Sequence, residues 1–512
     1  MTVASGMQHV LYRLGASIRV EGSHRRTGTD RSVELHRDPA GVFLGALVFV
    51  VGMASLGAEI AGVRLLAPYF GASTVVWANT IGVVLVALSV GYWLGGRAAD
   101  RRPTLQALCS ISLAAAVLLA GVPFVARPLL DAGVKALDAV SAGAFIGSLL
   151  AVLVLIALPV LLLGTVAPWA LRLAVVSVEQ AGTVAGRLYA ISTAGSLAGT
   201  LLSALVLIPA IGTRRTFLTL AVALAVIAAA GLLPRRGQLA APVLIATLFA
   251  IPIGTIKAAA NGGRVIYEKE TEYQYARVIQ YPDGVRRLEL NEGHATHSLY
   301  KPGTVLTGDY WDAMRIDASA NGRTPRSVAI LGNAAGTTAR EFEVLEPQTH
   351  LDPVEIDPEL ATIGYRWFGL PRSVTVRNED ARPYLRRAKG RHWDAILLDA
   401  YRQPYVPFYL VTKEFFQLAR SRLTPGGVFV VNVGHPDSHD ELEKAVSATM
   451  RAVFPEVRRD TVTPTNTIVV GGTHLVSGRL HPSLRGGSVY TDDRAPVEWL
   501  IDRSLVEYAA GK

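Results

Sequence analysis

The chain has 512 residues, half of them hydrophobic and only 18% charged, with a formal net charge of +9 and a mean hydropathy of +0.33. That balance excludes an ordinary soluble protein, and the length leaves room for two or three domains. A single cysteine, Cys109, excludes an intramolecular disulfide framework and a cysteine zinc site, and within its apolar run it reads as a small core residue.

The first 40 residues are polar and basic and lack the layout of a cleavable signal, so they read as a disordered cytoplasmic arm. From 41 to 260 the sequence is a series of apolar segments near 41–66, 74–96, 105–127, 143–168, 186–210, 216–233 and 240–258. Each has about the length a helix needs to cross hydrocarbon, which predicts an all-α polytopic membrane bundle of about seven helices. Pro159, Gly164 and Pro168 predict a kinked or broken helix in the fourth. Glu59 and Arg64 are an ionisable pair inside the first, five residues apart.

The basic residues gather in the arm and in the short loops near 97–102, 172–187 and 235–236. That pattern fits the cytoplasmic edges of a multi-pass cell-membrane protein, with the lipid bilayer rather than nucleic acid as partner. Seven crossings would then put the remainder of the chain outside. Supply of a cytoplasmic cofactor argues instead for a cytoplasmic domain, with the 240–258 segment, broken by Pro242 and Pro252, not crossing.

After 260 the character changes. Residues 261–325 alternate polar and apolar around a Pro-Asp-Gly turn, which predicts a small β-hairpin region. From 326 to 512, SVAILGN, HLDPVEID, SVTVRNED, WDAILLDA and GVFVVNV read as strands. TTAREFEVL, PELATIGYRWF, ARPYLRRAK and TKEFFQLARSRL read as the helices between them. This is an α/β Rossmann-like series with a mostly parallel sheet, whose ligand belongs beyond the carboxyl ends of the strands.

Those ends carry the candidate site. Gly332 and Gly336 in ILGNAAGTTARE form a partial glycine loop in front of a helix N-terminus. Glu355, about 20 residues on, has the spacing of a ribose ligand. Asp380 reads as an adenine acceptor, a helix N-cap, or both. Asp399 leaves an apolar strand for a Pro- and Tyr-rich loop, as a general base or amine binder would. The set points to an adenosine-type cofactor in a methyltransferase-like fold.

ETEYQY (271–276), ILGNAAGTTARE, VEID (354–357), the Asp380 turn, LLDAYRQP (397–404), LTPGG and TDDRAP (491–496) together resemble the spermidine synthases, the polyamine aminopropyltransferases. SLGAEIAGVRLLAPYFG, GGRAADR and GRLYAISTAGSLAGTLL resemble the membrane region fused to some of them. The resemblance implies that Gln274 and Glu355 hold the nucleoside of decarboxylated S-adenosylmethionine, that Asp380 meets its adenine, and that Asp399 deprotonates or orients an attacking amine such as putrescine. It implies no metal. It also implies that the hairpin region pairs two copies into a homodimer. Two family carboxylates are missing, with Ala335 and Gln403 in their places. Burying an ammonium without a counter-charge is costly. A methyltransferase using ordinary S-adenosylmethionine on a membrane-associated substrate, and a non-catalytic carrier or sensor, are therefore the alternatives.

Overall fold

The computed structural model describes residues 39–71, 74–138, 143–232, 240–251, 254–293, 295–402 and 405–509. Residues 1–38 of the basic arm, the Arg235–Arg236 pair, Pro252 and the Gln403–Pro404 step lie outside them. The chain divides into two compact units. One comprises Met1–Leu65, Trp77–Ala132 and Ser148–Gly254; the other comprises Leu66–Val76, Gly133–Gly147 and Thr255–Lys512.

The first unit is built from helices α1 (Pro39–Phe70), α2 (Thr74–Arg101), α3 (Leu105–Asp138), α4 (Gly143–Leu155), α5 (Ala157–Gly164), α6 (Val166–Ala174), α7 (Ala181–Leu202), α8 (Ile208–Ala230) and α9 (Ala240–Thr247). Among the described residues, five helical runs are long and apolar enough to cross a membrane. The fourth segment changes helix at Ile156 and Thr165, each three residues before a proline, Pro159 and Pro168, yet still gives one such run, Ala157–Ala174. Five is fewer than the seven segments read from the sequence, for two physical reasons. The 240–258 segment is helical only from Ala240 to Ala250, too short to span by itself. Helices α7 and α8 are joined through a π-helical turn, Ser203–Leu207, and count as one run, although Gly212 (φ 81°) leaves helical geometry within α8.

Small residues set the packing direction. A Cβ on Gly195 would lie 2.1 Å from the Phe49 carbonyl oxygen, and one on Gly199 would lie 2.1 Å from that of Met53. Gly52 meets Ser192 and Ser196, and Gly57 meets Ser203. Residue numbers rise together along both helices, so α1 and α7 run parallel at backbone contact, as glycines permit. By the same reading α2 runs parallel to the broken α4–α6 run. Asn79 donates to Ser148 at 2.9 Å, Gly91 meets Leu161 and Gly164, and Gly95 meets Thr165.

In the second unit the expected hairpin region is a four-stranded antiparallel sheet in the order β1-β2-β3-β4: β1 (Arg264–Glu270), β2 (Tyr275–Gln280), β3 (Arg286–Leu290) and β4 (Thr296–Tyr300). After α10 (Tyr310–Asp317) come β5 (Ser327–Leu331), α11 (Thr337–Leu345), β6 (His350–Glu355), α12 (Pro358–Trp367), β7 (Arg377–Asn378), α13 (Ala381–Arg387), β8 (Trp393–Leu398), α14 (Lys413–Arg420) and β9 (Leu423–Gly434). The chain continues through α15 (Glu441–Arg451), β10 (Glu456–Thr463), β11 (Asn466–Gly472), β12 (His481–Pro482) and α16 (Val497–Ala509).

The large sheet has the order β12-β10-β11-β9-β8-β5-β6-β7. Pairs β7-β6-β5-β8-β9 are parallel, and β11 runs antiparallel between β9 and β10. This is an α/β methyltransferase-like sheet. Its strands are apolar on both faces and carry separate clusters there, one around Phe415, Phe416 and Phe429 and one around Trp311, Phe342 and Leu397.

Candidate active site

The strand order reverses at β5, which has β6 on one side and β8 on the other, and it is beyond carboxyl ends arranged in this way that open α/β sheets take their ligands in a crevice. Leu331 leads into Gly332 at φ 87°, Ala334 at φ 45° and Gly336 at φ 86°. The glycine at 332 is required twice. Its backbone is left-handed, and a Cβ there would lie 2.4 Å from the carbonyl oxygen of Asp399 and 2.6 Å from Cα of Ala400. Gly336 is the left-handed N-cap of α11.

Glu355 closes this loop. One carboxylate oxygen accepts from the Ala334 N–H at 2.8 Å and the other from the Asp357 N–H at 3.0 Å. Burial pushes its carboxyl up to about 7, although those backbone donors pull it back. Asp357, wholly buried, caps α12 and accepts from Glu359 N–H at 3.1 Å, Thr271 Oγ1 at 2.7 Å and Gln274 Nε2 at 3.2 Å. Gln274 is thus brought to the site through Asp357. Burial also raises the Asp357 carboxyl. Asp380 caps α13 through the Arg382 N–H at 2.9 Å, as one of its two sequence readings had it, and its other oxygen accepts from the Tyr409 hydroxyl at 2.6 Å.

Asp399 follows the last residue of β8. It accepts from Asn432 Nδ2 at 2.8 Å and from the buried Tyr310 hydroxyl. Burial pushes its carboxyl up to about 7, and the charge of Glu355 adds to the rise while the two donors oppose it. Asn432 is itself held, since its side-chain oxygen accepts from Asn466 Nδ2 at 3.0 Å and its carbonyl from the Tyr401 hydroxyl at 3.1 Å. Tyr273, partly exposed, feels Glu355, Asp357 and Asp380 together. The crevice is therefore lined by carboxylates, which suits a cationic ligand such as a sulfonium nucleoside or an amine.

Tyr310, Asn432 and Asn466 carry no role in the sequence reading, and Tyr401 enters it only as part of the Tyr-rich loop after Asp399. Tyr310 precedes β5 by a whole helix, and the two asparagines meet only through sheet pairing. Ala335 is a different case. Its methyl is fully buried in an apolar cluster with Val278, Leu288, Leu360, Ile363 and Phe368. The position that the family resemblance equates with an amine-gripping aspartate lies under the small sheet and adds nothing to the crevice wall.

Residues 317–484 match the spermine/spermidine synthase domain family. A probable polyamine aminopropyl transferase of Bifidobacterium longum is 32% identical over 189 residues, 37% of this chain and 42% of that protein. A polyamine aminopropyltransferase of Vibrio vulnificus is 38% identical over 136 residues, 26% of this chain and 44% of that protein. An eEF1A lysine and N-terminal methyltransferase of Bos taurus is 29% identical over 144 residues, 26% of this chain and 20% of that protein. The chain thus spans less than half the length of each of these relatives. Its C-terminal part carries, over residues 317–484, a match to the spermine/spermidine synthase domain on a methyltransferase-like α/β fold, preceded by a region of long apolar helices.

Proposed function

We propose that the chain is a membrane-bound aminopropyltransferase, carrying an aminopropyl group from decarboxylated S-adenosylmethionine to an amine such as putrescine. The observation that carries this reading is the Asp399 carboxyl just past β8, held by Asn432 and Tyr310 and raised to about 7, with Glu355 at the end of β6 across β5. When bound, the sulfonium supplies an activated carbon whose bond to sulfur breaks as a neutral thioether leaves.

The remaining work falls to this chain's residues. Glu355 shapes the loop and offers carboxylate oxygens to ribose hydroxyls, Gln274 supports that wall through Asp357, and Asp380 faces the adenine side. Asp399 accepts the proton that the amine nitrogen must lose as it bonds to carbon. Its carboxyl, half ionised near neutral pH, is matched to that task. The apolar helices anchor the enzyme in a bilayer, and the small antiparallel sheet is the surface for pairing two copies.

Methyl transfer from ordinary S-adenosylmethionine is the second reading, favoured by the burial of Ala335, which leaves no carboxylate at that place for a terminal ammonium. Incubation of the purified full-length chain with either sulfonium and putrescine tests both. Release of 5′-methylthioadenosine with spermidine supports aminopropyl transfer. S-adenosylhomocysteine as the thioether product moves the assignment to methyl transfer, and no thioether with any acceptor removes both.

A further inference from the structure

We infer that the chain enters its helical unit at the cytoplasmic end and leaves it at the opposite end, so that the synthase domain is delivered to the outer side of the membrane. The argument uses contacts within the helical unit alone. At one end, the Cβ position of Gly231, just past α8, lies 2.5 Å from Sγ of Cys109 near the start of α3 and 2.5 Å from the ring of Phe43 near the start of α1. At the same end Arg172 pairs with Asp100 at 3.5 Å, joining the ends of α6 and α2.

The other end is marked by Gly254. Its carbonyl accepts from Arg214 Nη1 at 3.1 Å, and its Cβ position lies 3.4 Å from Arg127 Nη1. Arg127 is 18 residues beyond Cys109 along α3, about 27 Å at the helical rise, and Arg214 lies a similar distance from Gly231 along α8. The two groups are therefore a bilayer's thickness apart.

Residues 231 and 254 thus sit at opposite ends. The contacts of these two residues carry the crossing; the described helix between them, α9 with the 3-10 turn that extends it, ends at Ala250 and is by itself shorter than a spanning helix. The parallel runs of α1 with α7 and of α2 with α4–α6 give the same alternation of direction. A non-crossing 240–258 segment, on which the expected cytoplasmic domain depended, does not fit these contacts.

Charge fixes which end is which. The end at Phe43 has Arg97, Arg101, Arg102, Arg172 and Arg187, and in sequence the residues leading into α1 add Arg13, Arg19, Arg25, Arg26, Arg31 and Arg37, and those following α8 add Arg235 and Arg236. The other end has Arg64, Arg127, Lys135, Arg214 and Arg215, and Lys257, Arg264 and Lys269 follow Gly254 in sequence, a smaller total. Positive charge is retained on the cytoplasmic side, so the end with the arm is cytoplasmic. In combination with the function proposed above, both the sulfonium and the amine must reach the site from the outer compartment; the sidedness itself does not depend on that function.

The test labels single added cysteines in the full chain with a membrane-impermeant maleimide, on intact and on permeabilised cells. Cys109 is buried and contributes little background. Asp283→Cys in the exposed turn between β2 and β3, and Asp437→Cys in the exposed loop after β9, report on the domain; Arg102→Cys, also exposed, reports on the other end. The expected result is labelling of the domain positions in intact cells and of Arg102→Cys only after permeabilisation. Labelling of Arg102→Cys in intact cells, or protection of both domain positions until permeabilisation, overturns the inference.

Discussion

Glu355 and Asp399 stand at the ends of β6 and β8, on either side of β5, and the charge of Glu355 helps to hold the Asp399 carboxyl near neutrality. Each is pushed up to about 7 by burial, so both change charge over the same pH range. A base acts when deprotonated. The rate constant kcat/KM should therefore rise with pH through about 7, and Glu355→Gln should move that rise to lower pH by removing a like charge. The same substitution leaves one carbonyl oxygen for two backbone donors, so nucleoside affinity should fall roughly 10-fold. Calorimetry with 5′-methylthioadenosine, alongside the pH profile, separates the two effects.

Asp399→Asn keeps the shape of the side chain and removes its capacity to take a proton. Turnover should fall by about 10² to 10⁴, while binding of 5′-methylthioadenosine changes little. A variant that keeps its rate would remove Asp399 from the base role.

Asn466 touches neither Asp399 nor the crevice, yet it sets the polarity of the contact. A carboxylate can only accept, so Asn432 must turn its NH2 toward Asp399 and its oxygen toward the NH2 of Asn466. Asn466→Asp reverses this. The new carboxylate takes the Asn432 NH2, and the amide oxygen then faces Asp399. The rising limb of kcat/KM should move to higher pH by about one unit, and Asn466→Ala should give a smaller shift in the same direction. Superimposable profiles would assign the asparagines a purely structural role.

Glu341 is wholly buried, and burial with the Asp312 charge beside it pushes its carboxyl up to about 9. Asp317 is likewise buried and raised to about 7. Acids raised above their unfolded values bind more protons in the folded state, so stability is highest below about pH 5 for these groups and is lost as pH rises toward 9. The Tm of the domain's transition should fall across that window by several degrees, and Glu341→Gln should flatten the fall. Differential scanning calorimetry of the full chain from pH 5 to 9 measures both.

Gly332→Ala should cost about 3 kcal/mol or more, since its methyl meets backbone on the strand that carries Asp399 and its φ is left-handed. Gly336→Asn should cost less, because the obstruction there is the flexible Leu370 side chain and asparagine tolerates the left-handed region. Thermal melts of the two variants rank them; equal losses would contradict the close-approach argument.

Much of the α/β half was legible. TTAREFEVL was read as a helix and is α11 residue for residue, and the other helices between strands fall where their apolar periodicity put them. The strand β7 shrank to Arg377–Asn378, because an edge strand needs little pairing. The β10–β12 region was not read at all. Strand β11 inserts between β9 and β10 out of chain order, a choice made by long-range pairing that no local pattern records. Asp399 was legible because it ends an apolar run. Its partner Asn432 was not, although the parallel register that sets Leu398 beside Val431 places the next residues together. In the helical half, periodicity located the apolar segments but not their contacts, because the glycine faces that decide helix direction carry no hydrophobic signal.

The burial of Ala335 has a consequence for anyone redesigning this chain from aligned motifs. Grafting an aspartate onto position 335 to recreate a polyamine grip would place a carboxyl among Leu360, Ile363 and Phe368, under the small sheet. There it would stay protonated and destabilise the fold. Selectivity toward charged amines has to be engineered on the crevice wall, where Tyr273, Asp380 and Tyr409 are within reach of a ligand, and an inhibitor that relies on a terminal ammonium alone would gain nothing from the glycine loop.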